Sequence, residues 1–169
     1  MNKDPKALLL DSFDRCLAQL PPNIASNLTH PPSDPSPLKK KQNDIVRIRV
    51  LPRKKSPVSF WNSSWCFYEL GLGVYGGALT VGGVSFVQFP FQDTTGDGHY
   101  CRPAIDILQR LGTGNGNAFQ LIPASGPGTA TSYKRLYRNK DFPFFPVDQA
   151  AKDLSWLIAN TLPAFETIA

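Results

Sequence analysis

Four residues in one polar turn have the side chains that catalysis most often uses: Asp93, Asp97, His99 and Cys101. Carboxylates and an imidazole can bind a metal ion, and a thiol beside a base can act as a nucleophile. Their spacing matches neither a calcium loop nor a zinc site, and a turn between a strand and a helix needs polar residues in any case. A metal-dependent or cysteine hydrolase therefore ranks behind two binding functions, and we assign no catalytic residue, metal ligand or cofactor from the sequence.

Positive charge is concentrated between positions 39 and 55 of this 169-residue chain, whose net charge is +5. Cationic clusters bind nucleic acid by neutralising its phosphates, with strong salt dependence and weak sequence selectivity. The same charges also suit a solvated linker that keeps the protein soluble. The candidate phosphate-binding residues in this cluster are Arg47, Arg49, Arg53, Lys54 and Lys55.

A second cationic stretch lies between residues 131 and 138, where aromatic rings alternate with positive charges. Such a surface can stack bases and neutralise phosphates. Its candidate residues are Tyr133, Lys134, Arg135 and Arg138. In the alternative interpretation, Tyr133 and Tyr137 lie on the sheet face that a helix covers. With the first cluster, this stretch makes a non-catalytic nucleic-acid-binding or nuclease-accessory domain, with DNA or RNA as partner, the leading hypothesis.

An aromatic group near the C-terminus supports the second hypothesis, a protein-binding adaptor or inhibitor. Trp156 lies about 180° from the centre of the apolar stripe of its predicted helix, counted at about 100° per residue. Phe144 and Phe145 precede that helix. Exposed aromatic side chains are typical anchors of protein interfaces. The alternative is that Trp156 covers a second layer of the same chain.

The N-terminal region predicts one helix followed by a linker. Asp4 and Pro5 form a helix-start signal, and apolar residues recur at helical spacing as far as Leu20. Residues 21–43 are rich in Pro, Ser, Asn and Lys, which is typical of an extended linker. We therefore divide the chain into an N-terminal amphipathic helix at 1–20, a linker at 21–43 and an α+β domain at 44–169.

The rest of the chain predicts a sheet with a few helices. Strict alternation over 45–51 points Val46, Ile48 and Val50 to a core and Arg47 and Arg49 away from it. Further strands are expected at 64–72, 78–89, 118–123 and 131–138, and helices at 103–111 and from 146 or 148 to about 162. At Gly82 and Gly83 the apolar parity switches, which either a hairpin turn or a bulge would explain. The predicted fold is α+β, an antiparallel sheet of about five or six strands with helices mainly on one face.

The cysteines and the hydropathy bear on location. Cys16, Cys66 and Cys101 are far apart and odd in number, which predicts neither a disulfide framework nor a zinc site. The apolar run near the N-terminus, residues 7–10, is too short for a signal peptide, and no segment is long enough to span a membrane. A cytoplasmic protein without membrane attachment is expected.

The order of these elements resembles a bacterial domain of unknown function found beside restriction-type nuclease domains in defence or mobile-element proteins. The resemblance covers about 105 residues and is carried by the run from Trp65 to Asp93, the helix from Ile105 to Leu111, the strand from Ser132 to Tyr137, and Asp141, Trp156, Leu157, Ile158 and Phe165. It implies an accessory or binding role and supplies no established site residues.

Overall fold

The computed structural model describes residues 4–29, 44–53, 66–75, 78–89, 101–112, 118–125 and 129–167. In these ranges the helices are α1 (Pro5–Gln19), α2 (Pro22–Ala25), α3 (Cys101–Leu111) and α4 (Val147–Phe165), and the strands are β1 (Asp44–Val50), β2 (Cys66–Tyr75), β3 (Ala78–Gln88), β4 (Gln120–Ile122) and β5 (Thr131–Arg138). The strands form one sheet in the order β1-β2-β3-β5-β4, with every pair antiparallel. The predicted α+β fold with an antiparallel sheet is confirmed.

Helix α1 begins where the sequence predicts. The Asp4 side chain accepts a hydrogen bond from the Lys6 backbone N–H, and Pro5 occupies the first helical position. Leu9 and Phe13, from the apolar stripe of α1, are fully buried in the same core as the sheet. α1 also packs along α4, where the Ser12 hydroxyl donates to the Val147 carbonyl over 3.2 Å.

The first residues after α1 pack against the end of β1. After α2, Leu28 forms an isolated bridge with Pro52, and the Thr29 N–H donates to the Leu51 carbonyl over 2.7 Å. Leu28 is buried in the core. The packed region therefore extends to Thr29, eight residues beyond the expected start of the linker, and residues 30–43 lie outside the described ranges.

The alternation predicted for β1 is confirmed. Val46, Ile48 and Val50 are buried, whereas Arg47 and Arg49 are exposed on the other face of the sheet. Val46, Ile48 and Val50 are buried because the helices pack on their side of the sheet. α1 contacts β1 and β2, α4 contacts β2 and β3, and α3 contacts β5. The described helices thus cover one face of the sheet, and the arginines lie on the other.

The glycine-rich hairpin partners β2 and β3 differ from the sequence expectation in two respects. β2 continues to Tyr75, three residues beyond the predicted end of this strand at 72, and residues 73–75 pair with β3. β3 passes through Gly82 and Gly83 without a break, and its register shifts opposite Gly73 and Val74, where Thr80 is the extra residue. The parity switch is therefore produced by a bulge, because a bulge reverses which side chains face the core.

The C-terminal ends of α3 and α4 differ in how well they match the sequence prediction. Gly112 has φ +67°, a left-handed conformation that favours glycine and ends α3 as predicted. α4 passes through Pro163, beyond the predicted end at about 162, and continues to the fully buried Phe165. Burial of that ring favours the continued helix, although proline removes one backbone hydrogen bond. None of the described helices has the length and hydropathy needed to cross a membrane.

Candidate functional site

The face of the sheet opposite the helices, called here the open face, gathers residues from all five strands. Because directly paired residues of neighbouring strands point to the same side, the register that pairs Arg47 with Gly71, Gly71 with Gly83 and Gly83 with Leu136 defines one row across the sheet. The described side chains and glycines of the open face are Arg47, Arg49, Phe67, Glu69, Gly71, Gly73, Val81, Gly83, Ser85, Val87, Gln120, Ile122, Ser132, Lys134, Leu136 and Arg138.

A groove of about 470 Å³ crosses the middle of this face. Its lining includes Gly71 and Gly83 at the floor, Val81 and Leu136 as apolar contacts, and cations at both sides. Val81 is 46% exposed, which is high for a large apolar side chain in a strand. Grooves of about 300 to 1,000 Å³ are the usual size for small-ligand sites.

Two glycines of the groove are required by the fold. A Cβ atom added at Gly83 would lie 2.6 Å from the Arg135 carbonyl oxygen, and one added at Gly73 would lie 3.0 Å from both the Thr80 hydroxyl and the Val81 carbonyl oxygen. Gly71 is different, since a Cβ there meets none of the described atoms within 4 Å. The groove is therefore open at Gly71 because no side chain fills it.

Charged side chains of the open face lie on both sides of the groove. Glu69 lies between the two arginines of β1, with its carboxylate 4.0 Å from Arg47 Nε and 3.6 Å from Arg49 Nε. Burial raises the pKa of Glu69, and the charges of Arg47, Arg49 and Lys134 oppose that rise. The Arg49 guanidinium also lies 4.1 Å over the centre of the Phe67 ring, which is 1% exposed.

The second predicted surface is divided between the two sheet faces, which corrects the expectation that it acts as one unit. Lys134 and Arg138 lie on the open face, but Tyr133 and Arg135 point to the helices. Tyr133 is fully buried, stacks on Phe119 with ring centroids 5.1 Å apart, and donates its hydroxyl to the Gly112 carbonyl over 3.0 Å. Its ring therefore has no free face on which a base could stack.

Arg135 belongs to a buried polar network between β5 and α4. Its guanidinium donates to both carboxylate oxygens of Asp153 at 2.9 Å, and Asp153 is fully buried. The same carboxylate accepts from the Tyr137 hydroxyl over 2.6 Å and from the Gln149 amide over 3.0 Å. Burial, with a further contribution from Asp153, raises the pKa of Tyr137, so this phenol stays protonated and donates. The structure assigns Arg135 to the core of the fold.

The aromatic residues proposed as partner anchors are mostly internal. Trp156 is half-buried and stacks on Phe119 at 5.2 Å, so it covers a second layer of its own chain. Phe145 is buried and meets Tyr137 edge to face at 5.9 Å, which corrects the expectation of an exposed ring. Phe144 is 81% exposed and is the one residue of the three that presents its ring to solvent.

The other candidate residues lie away from the open face or outside the described ranges. Arg53 is exposed and donates from Nε to the Leu28 carbonyl over 3.2 Å, near the bridge that ends β1. Lys54 and Lys55 lie outside the described residues. So do Asp93, Asp97 and His99, while Cys101 begins α3 with a side chain that is not described. Within the described ranges, no group of three His, Cys, Asp or Glu residues could hold a metal ion.

Sequence reasoning missed Glu69, which pairs with both arginines of β1, and Gly71, which leaves the groove open. The available signal was a charged residue followed by alternating glycines at 71 and 73 inside a strand, where glycine often marks a close approach of a ligand or another backbone. Comparisons of the chain with protein-family models, curated proteins and solved structures find no match.

Proposed function

We propose that the protein is a non-catalytic nucleic-acid-binding module that holds phosphates on the open face of its sheet. The observation that carries the proposal is the position of Arg47, Arg49, Lys134 and Arg138, which lie on one face and on both sides of the groove. Arginine and lysine are the usual ligands of phosphate groups, and their attraction to phosphates does not depend on the nucleotide sequence.

The spacing of these cations suits a polyanion better than a single small anion. β1 and β5 are separated by three strand intervals, so Arg47 and Lys134 lie on strands about 14 Å apart. Along β5, Lys134 and Arg138 are four residues apart, or about 13 Å. A chain of phosphates can contact such a patch at several points at once.

The charge balance of the open face supports the same proposal. Among the described strand residues on this face, Glu69 is the one acidic side chain. Four cations and one carboxylate leave a net charge of +3 on this patch. Glu69 orders the two arginines through its ion pairs and leaves Lys134 and Arg138 as the cations on the far side of the groove.

Fluorescence anisotropy with a labelled single-stranded oligonucleotide tests the proposal across about 50 to 200 mM salt. If about three phosphates are neutralised, the fourfold rise in salt weakens binding roughly 20-fold. Lys134→Glu should reduce affinity strongly, whereas the matched reversal Lys152→Glu, on an exposed position of α4, should change it little. Absence of binding at about 50 mM salt, or equal losses for the two reversals, would refute the proposal.

The cellular context is part of the same proposal. We infer a cytoplasmic protein that acts as an accessory module, beside a nuclease in a bacterial defence or mobile-element system. The buried free thiol of Cys16 supports a reducing compartment. The resemblance of the element order from Trp65 onward to a domain found beside restriction-type nucleases supports the accessory role.

A protein-binding adaptor is the second candidate, and the observation in its favour is Phe144. Its 81% exposure is large for an aromatic ring, and such rings are typical interface anchors. Because Trp156 and Phe145 pack inside the fold, Phe144 is the residue to change when a protein partner is tested.

A further inference from the structure

Within the described residues, no contact requires position 71 to be a glycine. Glycine inside a strand costs about 0.5 to 1 kcal/mol relative to alanine, because the unfolded chain loses more freedom on folding. Gly73 and Gly83 are explained by backbone atoms that a Cβ would meet, but at Gly71 none of the described atoms lies within 4 Å of that position. Its φ is also outside the left-handed region, so any residue could adopt it. Among the described residues, the missing side chain leaves space above Gly71 that a ligand can occupy.

The surroundings of Gly71 restrict the chemistry of that occupant. Gly71 and Gly83 are directly opposed and expose peptide planes at the floor, and Leu136 continues the same row as an apolar contact. The neighbouring row, one step of about 7 Å along the strands, has Ser85 opposite Lys134. A flat body with apolar faces and a polar edge fits these two rows, with its faces against the floor and its edge towards the hydroxyl and the ammonium group.

The charges select an occupant that also carries a negative group. Arg47 lies at one end of the glycine row, and Lys134 lines the opposite side of the groove. A nucleobase that is part of a phosphate chain has all three features: a flat body, hydrogen-bonding edges and an adjacent anion. We infer that the groove at Gly71 binds an unstacked nucleobase, so that the protein prefers single-stranded nucleic acid to duplex.

The preference for single strands follows from what the groove must contact. In a duplex the base faces are stacked and the pairing edges are occupied, whereas in a single strand both are available to a protein. A groove of about 470 Å³ has the size of a small-ligand site and excludes a double helix. This inference rests on the proposed phosphate binding, and it adds a base contact that phosphate binding alone does not need.

The test compares three probes by anisotropy or competition: a single-stranded oligonucleotide, the duplex of the same sequence and inorganic polyphosphate. Gly71→Val fills the groove, and it should fold normally because its Cβ meets no described atom and valine favours strands. We expect it to weaken single-strand binding roughly 5- to 150-fold, the value of the two hydrogen bonds that the base edge makes to Ser85 and Lys134, and to leave polyphosphate binding unchanged. Gly71→Ala fills less of the groove and should give a smaller loss in the same direction.

Ala78→Val provides the matched control, because it enlarges an exposed strand side chain outside the groove lining. It should bind all three probes like the wild-type protein. Equal affinity of the wild type for single strand and duplex, or unchanged single-strand binding by Gly71→Val or Gly71→Ala with the fold intact by circular dichroism, would overturn the base site while polyphosphate binding persists. Loss of binding to all probes by the wild type would instead overturn the phosphate proposal and the base site together.

Discussion

The buried Arg135–Asp153 pair allows a stability prediction with a defined magnitude. Asp153→Leu removes a carboxylate that accepts four hydrogen bonds and leaves a guanidinium that is 19% exposed. Breaking a buried pair on one side typically costs about 3 to 5 kcal/mol, because the remaining charge is no longer compensated. Partial access of Arg135 to water places the expected loss near the lower end, about 3 kcal/mol, against a total stability of about 5 to 15 kcal/mol.

Urea unfolding followed by tryptophan fluorescence measures this loss. The midpoint should fall while the slope of free energy against urea stays constant, since the surface exposed on unfolding is unchanged. In thermal unfolding the same loss corresponds to roughly 6 to 12 °C.

Asp148 provides a control on the same helix, because it pairs with Arg15 but is 78% exposed. Asp148→Leu should cost no more than about 1 kcal/mol, the usual limit for surface pairs. The double variant Arg135→Met with Asp153→Leu should recover most of the loss, since neither charge then remains buried. Equal costs for Asp153→Leu and Asp148→Leu, or no recovery in the double variant, would refute the assignment of this network to the core.

Two further predictions follow from burial on each side of the sheet. Because burial raises the pKa of Glu69, lowering the pH from about 7 to about 5.5 begins to neutralise this carboxylate, and the affinity for the oligonucleotide should rise. The variant Glu69→Gln should bind the oligonucleotide more tightly at neutral pH, and its affinity should change less with pH. An identical pH dependence in the wild type and the variant would contradict this. Burial raises the pKa of the Cys16 thiol to about 12, so Cys16 should resist a thiol-reactive reagent at about pH 8 in the folded protein. It should react after the protein is unfolded in urea, and mass spectrometry locates the label. Rapid labelling of Cys16 in the folded protein would contradict this and would show that the contact between α1 and the core opens readily.

Local patterns were enough to predict most elements of the fold. The alternation from Val46 to Val50 identified both the strand and its buried face, because branched apolar residues occupy every second position there. Asp4 and Pro5 located the start of α1 for an equally local reason, the capping of free N–H groups. The bulge at Thr80 was harder, since two explanations of the same parity switch differ only in how β3 meets its neighbour.

The candidate site was less predictable because it depends on which face of each strand is covered. Lys134 and Arg135 are adjacent in β5, so strand alternation points their side chains to opposite faces of the sheet. The sequence does not show which face the helices cover, nor that Asp153 of α4 pairs with Arg135 there. The role of Gly71 depends on the register of four strands, and that information exists only after the sheet has formed.

The pairing of α1 with α4 has a consequence for synthesis of the chain. Ser12 and Val147 are 135 residues apart, so at about 5 to 20 residues per second α1 emerges from the ribosome roughly 7 to 27 s before its partner exists. During that interval Leu9 and Phe13 lack the α4 surface that covers them in the native core. We expect the nascent chain to need protection by chaperones until α4 is released, and folding to finish only at that point.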